Sequence, residues 1–236
     1  GQRRRALAIC MAASFVTPFS SSALNLAIPA LGRDLGAGAV TLSWVVNAFL
    51  LAAASLLLPL GRLADILGRK RVFLAGVALF STASLVCALA PSAAALIALR
   101  VVQGAAASMI FASSLAILSS VYPAGQRGRV LGIAVTAVYV GLVAGPVAGG
   151  LLTAALGWRS IFVVTAALGL LGALLPAIRL RGEWRGVRCP DARYPILTTR
   201  YFGDLVLLDP GDDLLGDGVG GHVLDDAGLA ALFRQR

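Results

Sequence analysis

Apolar residues in this chain come in long unbroken runs, and the charged residues fall between the runs. A helix needs about 20 apolar residues to cross the hydrocarbon core of a bilayer. The charges cut the first 181 residues into six such lengths: 7–30, 42–60, 72–89, 93–121, 130–152 and 160–178. Pro91 and Ser92 mark a tight turn between the third and fourth runs. The pattern predicts an all-α membrane protein built as a six-helix bundle, followed by a short tail that does not cross the membrane.

The polar segments carry a second signal. One set of loops holds Arg3, Arg4, Arg5, Arg62, Arg69, Lys70, Arg71, Arg127, Arg129, Arg179 and Arg181, and the intervening set holds only Arg33 and Arg159. Cytoplasmic loops carry the excess of Lys and Arg. An even number of spans with both termini in the cytoplasm of a multi-pass cell-membrane protein is therefore expected. The start Arg3-Arg4-Arg5 before an apolar run is similar to a signal peptide, but the charge-free run to Gly32 is too long for one.

Composition sharpens the same picture. The chain is 58% hydrophobic and 13% charged, with a mean hydropathy of +0.88, against about 25% charged for a soluble domain. The net charge of +9 does not indicate nucleic-acid binding, because the basic residues flank apolar runs instead of forming one polar surface. Three scattered cysteines and a single histidine make no metal-ligand spacing. There is no H-E-x-x-H, G-x-S-x-G or G-x-x-x-x-G-K-[ST] signature. Neither an enzyme nor a cofactor is expected.

Residues 182–236 differ in character. They hold nine of the eleven acids and six basic residues, and no run long enough to span. We read 1–181 as the membrane part and 182–236 as a polar acidic tail, cytoplasmic and poorly ordered or translated out of frame. The protein sequence leaves those alternatives open.

Three features inside the membrane part carry candidate chemistry. Gly61 to Arg71 packs Gly61, Asp65, Gly68 and four basic residues between the second and third runs, and Asp65 and Arg69 pair if the segment is helical. Arg100 is the only charge inside a predicted span, with Gln103 and Gly104 within the next turn. A charge at that depth needs a partner or a cavity and is by default a functional position, although an arginine near a helix end also snorkels. In the fifth run Gly141, Gly145 and Gly149 recur every four residues around Pro146. They form a close-packing face with a built-in kink.

These segments, together with Asn25-Leu26-Ala27-Ile28-Pro29 and Gly157-Trp158-Arg159-Ser160-Ile161-Phe162, resemble the major facilitator superfamily. The resemblance is to the N-terminal half of its fourteen-helix drug–proton antiporter branch. It implies one six-helix half of 3+3 inverted repeats. Gly61, Asp65, Gly68 and Arg69 would be a conformational-gating loop. Arg100 would lie on a proton path, and Gly141, Gly145, Pro146 and Gly149 would form the antiporter motif. The expected function is alternating-access efflux of a small amphipathic or cationic molecule, of the multidrug-resistance type. Asn25, Trp44, Asn47, Arg100 and Gln103 would line the path. A coupling proton, the lipid bilayer and a second transporter half or a second copy of the chain are the expected partners. The alternative is a six-helix remnant or partner subunit that transports nothing. Two departures matter. Ser20 stands where the related antiporters carry an Asp, and Asp34 and Asp65, the only acids before Glu183, both fall outside the six predicted runs.

Overall fold

A computed structural model of the chain describes residues 2–174, and the helical expectation is met throughout. The elements are α1 (Gln2–Leu35), α2 (Ala39–Leu67), α3 (Arg69–Ala88), α4 (Ala93–Val121), α5 (Ala124–Leu156) and α6 (Arg159–Leu168), which runs on as a π-helical turn, Gly169–Leu174. Five of them are long and apolar enough to cross a membrane. The end of the sixth predicted span and the acidic tail lie outside the described residues.

The helices overrun the apolar runs that announce them. At 1.5 Å per residue α1 is about 50 Å long, well beyond a hydrocarbon core of about 30 Å, so its ends project past the apolar layer. The clearest difference from expectation is at residues 61–67. They are not a loop: α2 continues through Arg62, Asp65 and Leu67, and α3 begins at Arg69. The break is one residue wide. Gly68 has φ +105, a conformation that a side chain makes costly, and its N–H still bonds back to the Ala64 carbonyl at 3.1 Å. Between α3 and α4 the turn is as expected, with Ser92 capping α4 by accepting from the Ala95 N–H at 3.3 Å.

Two helix pairs organise the bundle: α1 lies along α5, and α2 along α4, while α3 packs between α4 and α6. The α1–α5 seam is made by the glycine face. A Cβ on Gly149 would come within 2.4 Å of the Ala23 carbonyl oxygen, and one on Gly141 within 2.4 Å of that of Phe15. In the α2–α4 pair a Cβ on Gly104 would meet the Phe49 carbonyl oxygen at 2.4 Å. Helices in lipid lack a hydrophobic drive to associate and depend on such close packing.

The interior is layered. One apolar cluster gathers Ile9, Val16, Phe73, Phe80, Ile117 and Val130, and another gathers Leu24, Leu31, Leu96, Trp158, Ile161 and Phe162. Between them in register lie buried polar residues: Thr17 and Ser20 on α1, Ser81 and Ser84 on α3, and Arg100 and Gln103 on α4. Each end is also tied. At one, the Tyr122 hydroxyl donates to the Arg3 carbonyl at 3.0 Å. At the other, Asp34 accepts from Trp158 Nε1 at 2.9 Å and Arg159 Nη1 at 2.5 Å, while the Arg159 guanidinium lies 4.4 Å from the Trp158 ring centroid. Large apolar side chains such as Leu58, Val143 and Leu151 remain exposed on α2 and α5, as a bilayer or a protein partner would allow.

Gly149→Ala should lower the stability of the detergent-solubilised chain by about 1–3 kcal/mol, because only backbone atoms stand in the way of the new methyl. Gly132→Ala, on the same helix with no atom within 4 Å of the new methyl, should be neutral or slightly stabilising. Thermal unfolding of the two variants side by side checks the difference.

Candidate functional site

The basic segment forms its predicted pair. Because α2 and α3 meet at a single residue, Asp65 and Arg69 face each other across the break, and Arg69 Nε donates to Asp65 Oδ1 at 2.9 Å. Arg69 does more than pair. Its Nη1 donates to the Ala116 carbonyl at 2.7 Å, little more than one turn before the end of α4, where the same oxygen also accepts from the Ser119 hydroxyl at 3.0 Å. One side chain therefore joins three helices. Arg69 is mostly covered while Asp65 is largely exposed, so the carboxylate keeps a solvent-facing side. Gly61 sits where a Cβ would touch Ala112 at 3.4 Å, and α2 passes close to α4 there.

Arg100 has no exposed surface. It does not snorkel: its Nε donates to the Val45 carbonyl at 3.2 Å, its Nη1 to Gln103 Oε1 at 2.7 Å, and its guanidinium lies 4.4 Å from the Phe49 ring centroid. Gln103 passes the connection on, donating through Nε2 to Ser84 Oγ at 2.6 Å, and Ser84 donates to the Phe80 carbonyl at 2.7 Å. The network spans α2, α4 and α3. Among the described residues Arg100 Nη2 has no hydrogen-bond partner and no carboxylate pairs with the guanidinium. Phe49, Ser84 and the Val45 carbonyl carry no sequence signal. They are apolar, small or backbone groups whose role depends on which helix lies beside α4.

The other expected path residues are not part of this network. Asn25, Asn47 and Trp44 are exposed on the bundle surface, Trp44 at 51%. Counting from the helix ends, Asn25 on α1, Asn47 on α2 and Arg100 on α4 all lie about 10–15 Å below the same end of the bundle. The structure thus divides the five residues into an enclosed polar pair, Arg100 and Gln103, and three surface-facing side chains at similar depth. In the fifth helix Gly141, Gly145 and Gly149 are buried against α1. The Ser22 hydroxyl, facing Gly145, lies 3.4 Å from the Gly141 carbonyl to which it donates. Pro146 sits inside the helix between them. Ser20 is fully buried in the polar layer.

Gln103→Leu should strand Arg100 Nη1 as well and cost about 1–3 kcal/mol, more than Ser84→Ala, which removes a hydroxyl outside the guanidinium's own contacts. Denaturation midpoints in one detergent rank the two. Arg69→Ala should leave the fold intact but loosen the end of α4. Amide exchange at Ser119–Val121 should rise about fivefold, as expected for losing about 1 kcal/mol of hydrogen bonding, and mass-spectrometric hydrogen exchange reads it.

The sequence profile of the Major Facilitator Superfamily matches residues 10–192. The chain is 40% identical over 188 residues to the cephamycin export protein of Amycolatopsis lactamdurans, covering 78% of this chain and 39% of that one. It is 43% identical over 152 residues to the methylenomycin A resistance protein of Streptomyces coelicolor, covering 63% and 32%. Among solved structures, a bacterial homologue of the human lysosomal transporter Spinster, inward-facing and occupied, superposes with a TM-score of 0.69 at 21% identity, covering 80% of this chain and 47% of that one. A proton:xylose symporter superposes with a TM-score of 0.69 at 13% identity, covering 78% and 46%. The structural likenesses show the shared fold. The chain spans less than half the length of each of these proteins.

Proposed function

The chain belongs to the Major Facilitator Superfamily, and from that premise we propose that it is the N-terminal half, or a truncated form, of a small-molecule efflux transporter that works by alternating access. It is a multi-pass membrane protein of a transporter family with drug-export relatives. We place both termini in the cytoplasm, since the end of the bundle with Arg3–Arg5, Arg62, Arg69–Arg71, Arg127 and Arg129 is far more basic than the end with Arg33 and Arg159. In this reading residues 1–181 form the transporter half and 182–236 a polar tail, of which the family profile still matches residues 182–192.

The observation that carries this proposal is the way the helices are joined. Backbone-close contacts fuse α1 to α5 and α2 to α4, and Arg100, Gln103 and Arg69 add α3 to the second pair. A bundle held at so many points moves as one body, and rocking of one such body against another opens a midplane site to either side. The exposed faces of α2 and α5 are where the opposing body would lie, whether a C-terminal half or a second copy. Asn25 on α1 and Trp44 and Asn47 on α2 would meet substrate between the two bodies, while Arg100 and Gln103 would shape the wall behind them. Gly61, Asp65, Gly68 and Arg69 would set the balance between inward- and outward-facing states from the cytoplasmic end, and the α5 glycine–proline face would keep that wall closed to leaks. Within the spans of this half the polar side chains are hydroxyls, amides and one guanidinium. Any coupling proton would therefore be carried on the opposing body.

Cephamycin efflux from proteoliposomes tests the proposal. The 236-residue chain is reconstituted alone and together with the C-terminal half of the cephamycin export protein, with and without an imposed proton gradient. Flux above empty vesicles is expected in one of the two preparations, reduced about tenfold by Asp65→Asn. Flux equal to empty vesicles in both makes the chain a non-transporting partner or remnant.

A further inference from the structure

Arg100 places a full positive charge inside the membrane part of this half, and nothing in that part cancels it. Asp34 and Asp65 are the only acids before Glu183. Each sits near a helix end, and each is already paired with another arginine, Arg159 and Arg69. The contacts that hold Arg100 are dipolar: the Val45 carbonyl, the Gln103 amide oxygen and the face of Phe49. They stabilise the guanidinium without neutralising it. Arginine also stays protonated in proteins, so the charge persists at any physiological pH.

The charge cannot be touched from the surface, since Arg100 is fully enclosed. It acts through its field. Val45 and Phe49, which hold it, lie on the buried side of α2, and Asn47 lies on the exposed side of the same turn. A ligand group against Asn47 is therefore about one helix diameter away, roughly 10 Å. At an effective dielectric of about 20, a unit charge at that range favours an anion over a neutral group by about tenfold. It disfavours a cation by a similar factor, and ions in solution screen an interior charge poorly.

On the reading of this bundle as a transporter half, we infer that the path it builds favours anionic or acidic small molecules and discriminates against lipophilic cations. The exposed groups at that depth fit the assignment. Asn25 and Asn47 offer amide N–H donors to a carboxylate or enolate, and Trp44 offers an indole N–H and an apolar face. None offers a counter-charge to an ammonium. The amphipathic-or-cationic expectation narrows accordingly to amphipathic molecules that carry an acid.

Binding to the 236-residue chain in nanodiscs of neutral lipid provides the test, with three probes of similar size and apolarity. They are 1-anilinonaphthalene-8-sulfonate as the anion, N-phenyl-1-naphthylamine as its uncharged analogue, and tetraphenylphosphonium as the cation. Empty nanodiscs supply the background. The anion is expected to bind about tenfold more tightly than the neutral probe and about 100-fold more tightly than the cation. Arg100→Gln should remove that preference and Arg100→Lys retain it. Arg4→Gln, which deletes an exposed charge at the far end of α1, should leave it unchanged. A cation that binds the wild-type chain as tightly as the anion overturns the inference without touching the transporter assignment. So does a preference that survives Arg100→Gln or disappears with Arg4→Gln. Binding of none of the three above background overturns both, because the bundle would then present no path. The wild-type ratios alone decide the matter if Arg100→Gln fails to fold.

Discussion

Backbone-to-backbone contact is the constraint on which this bundle rests. In lipid there is no water to drive apolar surfaces together, and helices associate where their main chains can approach. In α1–α5 that approach is provided by Gly141, Gly145 and Gly149, and in α2–α4 by Gly104. The rest follows from these two seams. Once α2 is held against α4, its Val45 carbonyl and Phe49 ring surround Arg100. Once α1 is held against α5, the start of α6 comes within reach of Asp34. The charged contacts refine an arrangement that small residues make possible.

The polar layer between the two apolar clusters follows from the same geometry. Of its hydroxyls, Ser84 donates to a carbonyl one turn back in its own helix and so costs little to bury, whereas those of Thr17, Ser20 and Ser81 have no hydrogen-bond partner among the described residues. Arg100 and Gln103 could not be satisfied that way and need groups from neighbouring helices. The network is for this reason a record of which helix sits beside which, and it would not survive a change of neighbours. That argues for α2, α3 and α4 moving together at this level of the membrane.

The apolar runs made the helix count and order legible, because charges interrupt them cleanly, and the four-residue glycine spacing made the face of α5 legible as well. The continuation of α2 through residues 61–67 was hidden by the charges of Arg62 and Asp65, which read as loop although Leu63, Ala64, Ile66 and Leu67 sustain the helix. The spacing of Asp65 and Arg69 gave away their pairing, but nothing local points from Arg69 to the Ala116 carbonyl, 47 positions away. Arg100 stood out as a lone charge. Its enclosure did not, because Phe49 and Val45 are ordinary members of an apolar run. Asp34, expected in a bare loop, is tied to Trp158 and Arg159 by the last turn of α1 and the first of α6, a pairing across 124 positions that no spacing rule reaches.

The contacts of α1 impose an order on how the protein is made. Its hydrogen bonds to Tyr122 and to Gly141, and its clasp with Trp158, all join residues about 120 positions apart, and α5, its main neighbour, begins only at Ala124. Domains grow from the N-terminus as the ribosome extends the chain. The first helix therefore enters the bilayer and waits, through the synthesis of three further helices, for nearly everything that will hold it. A segment with that history must be stable as a solitary span. The charge-free stretch from Ala6 to Gly32 provides for that: with no ionised side chain inside the bilayer, α1 needs no partner in order to stay.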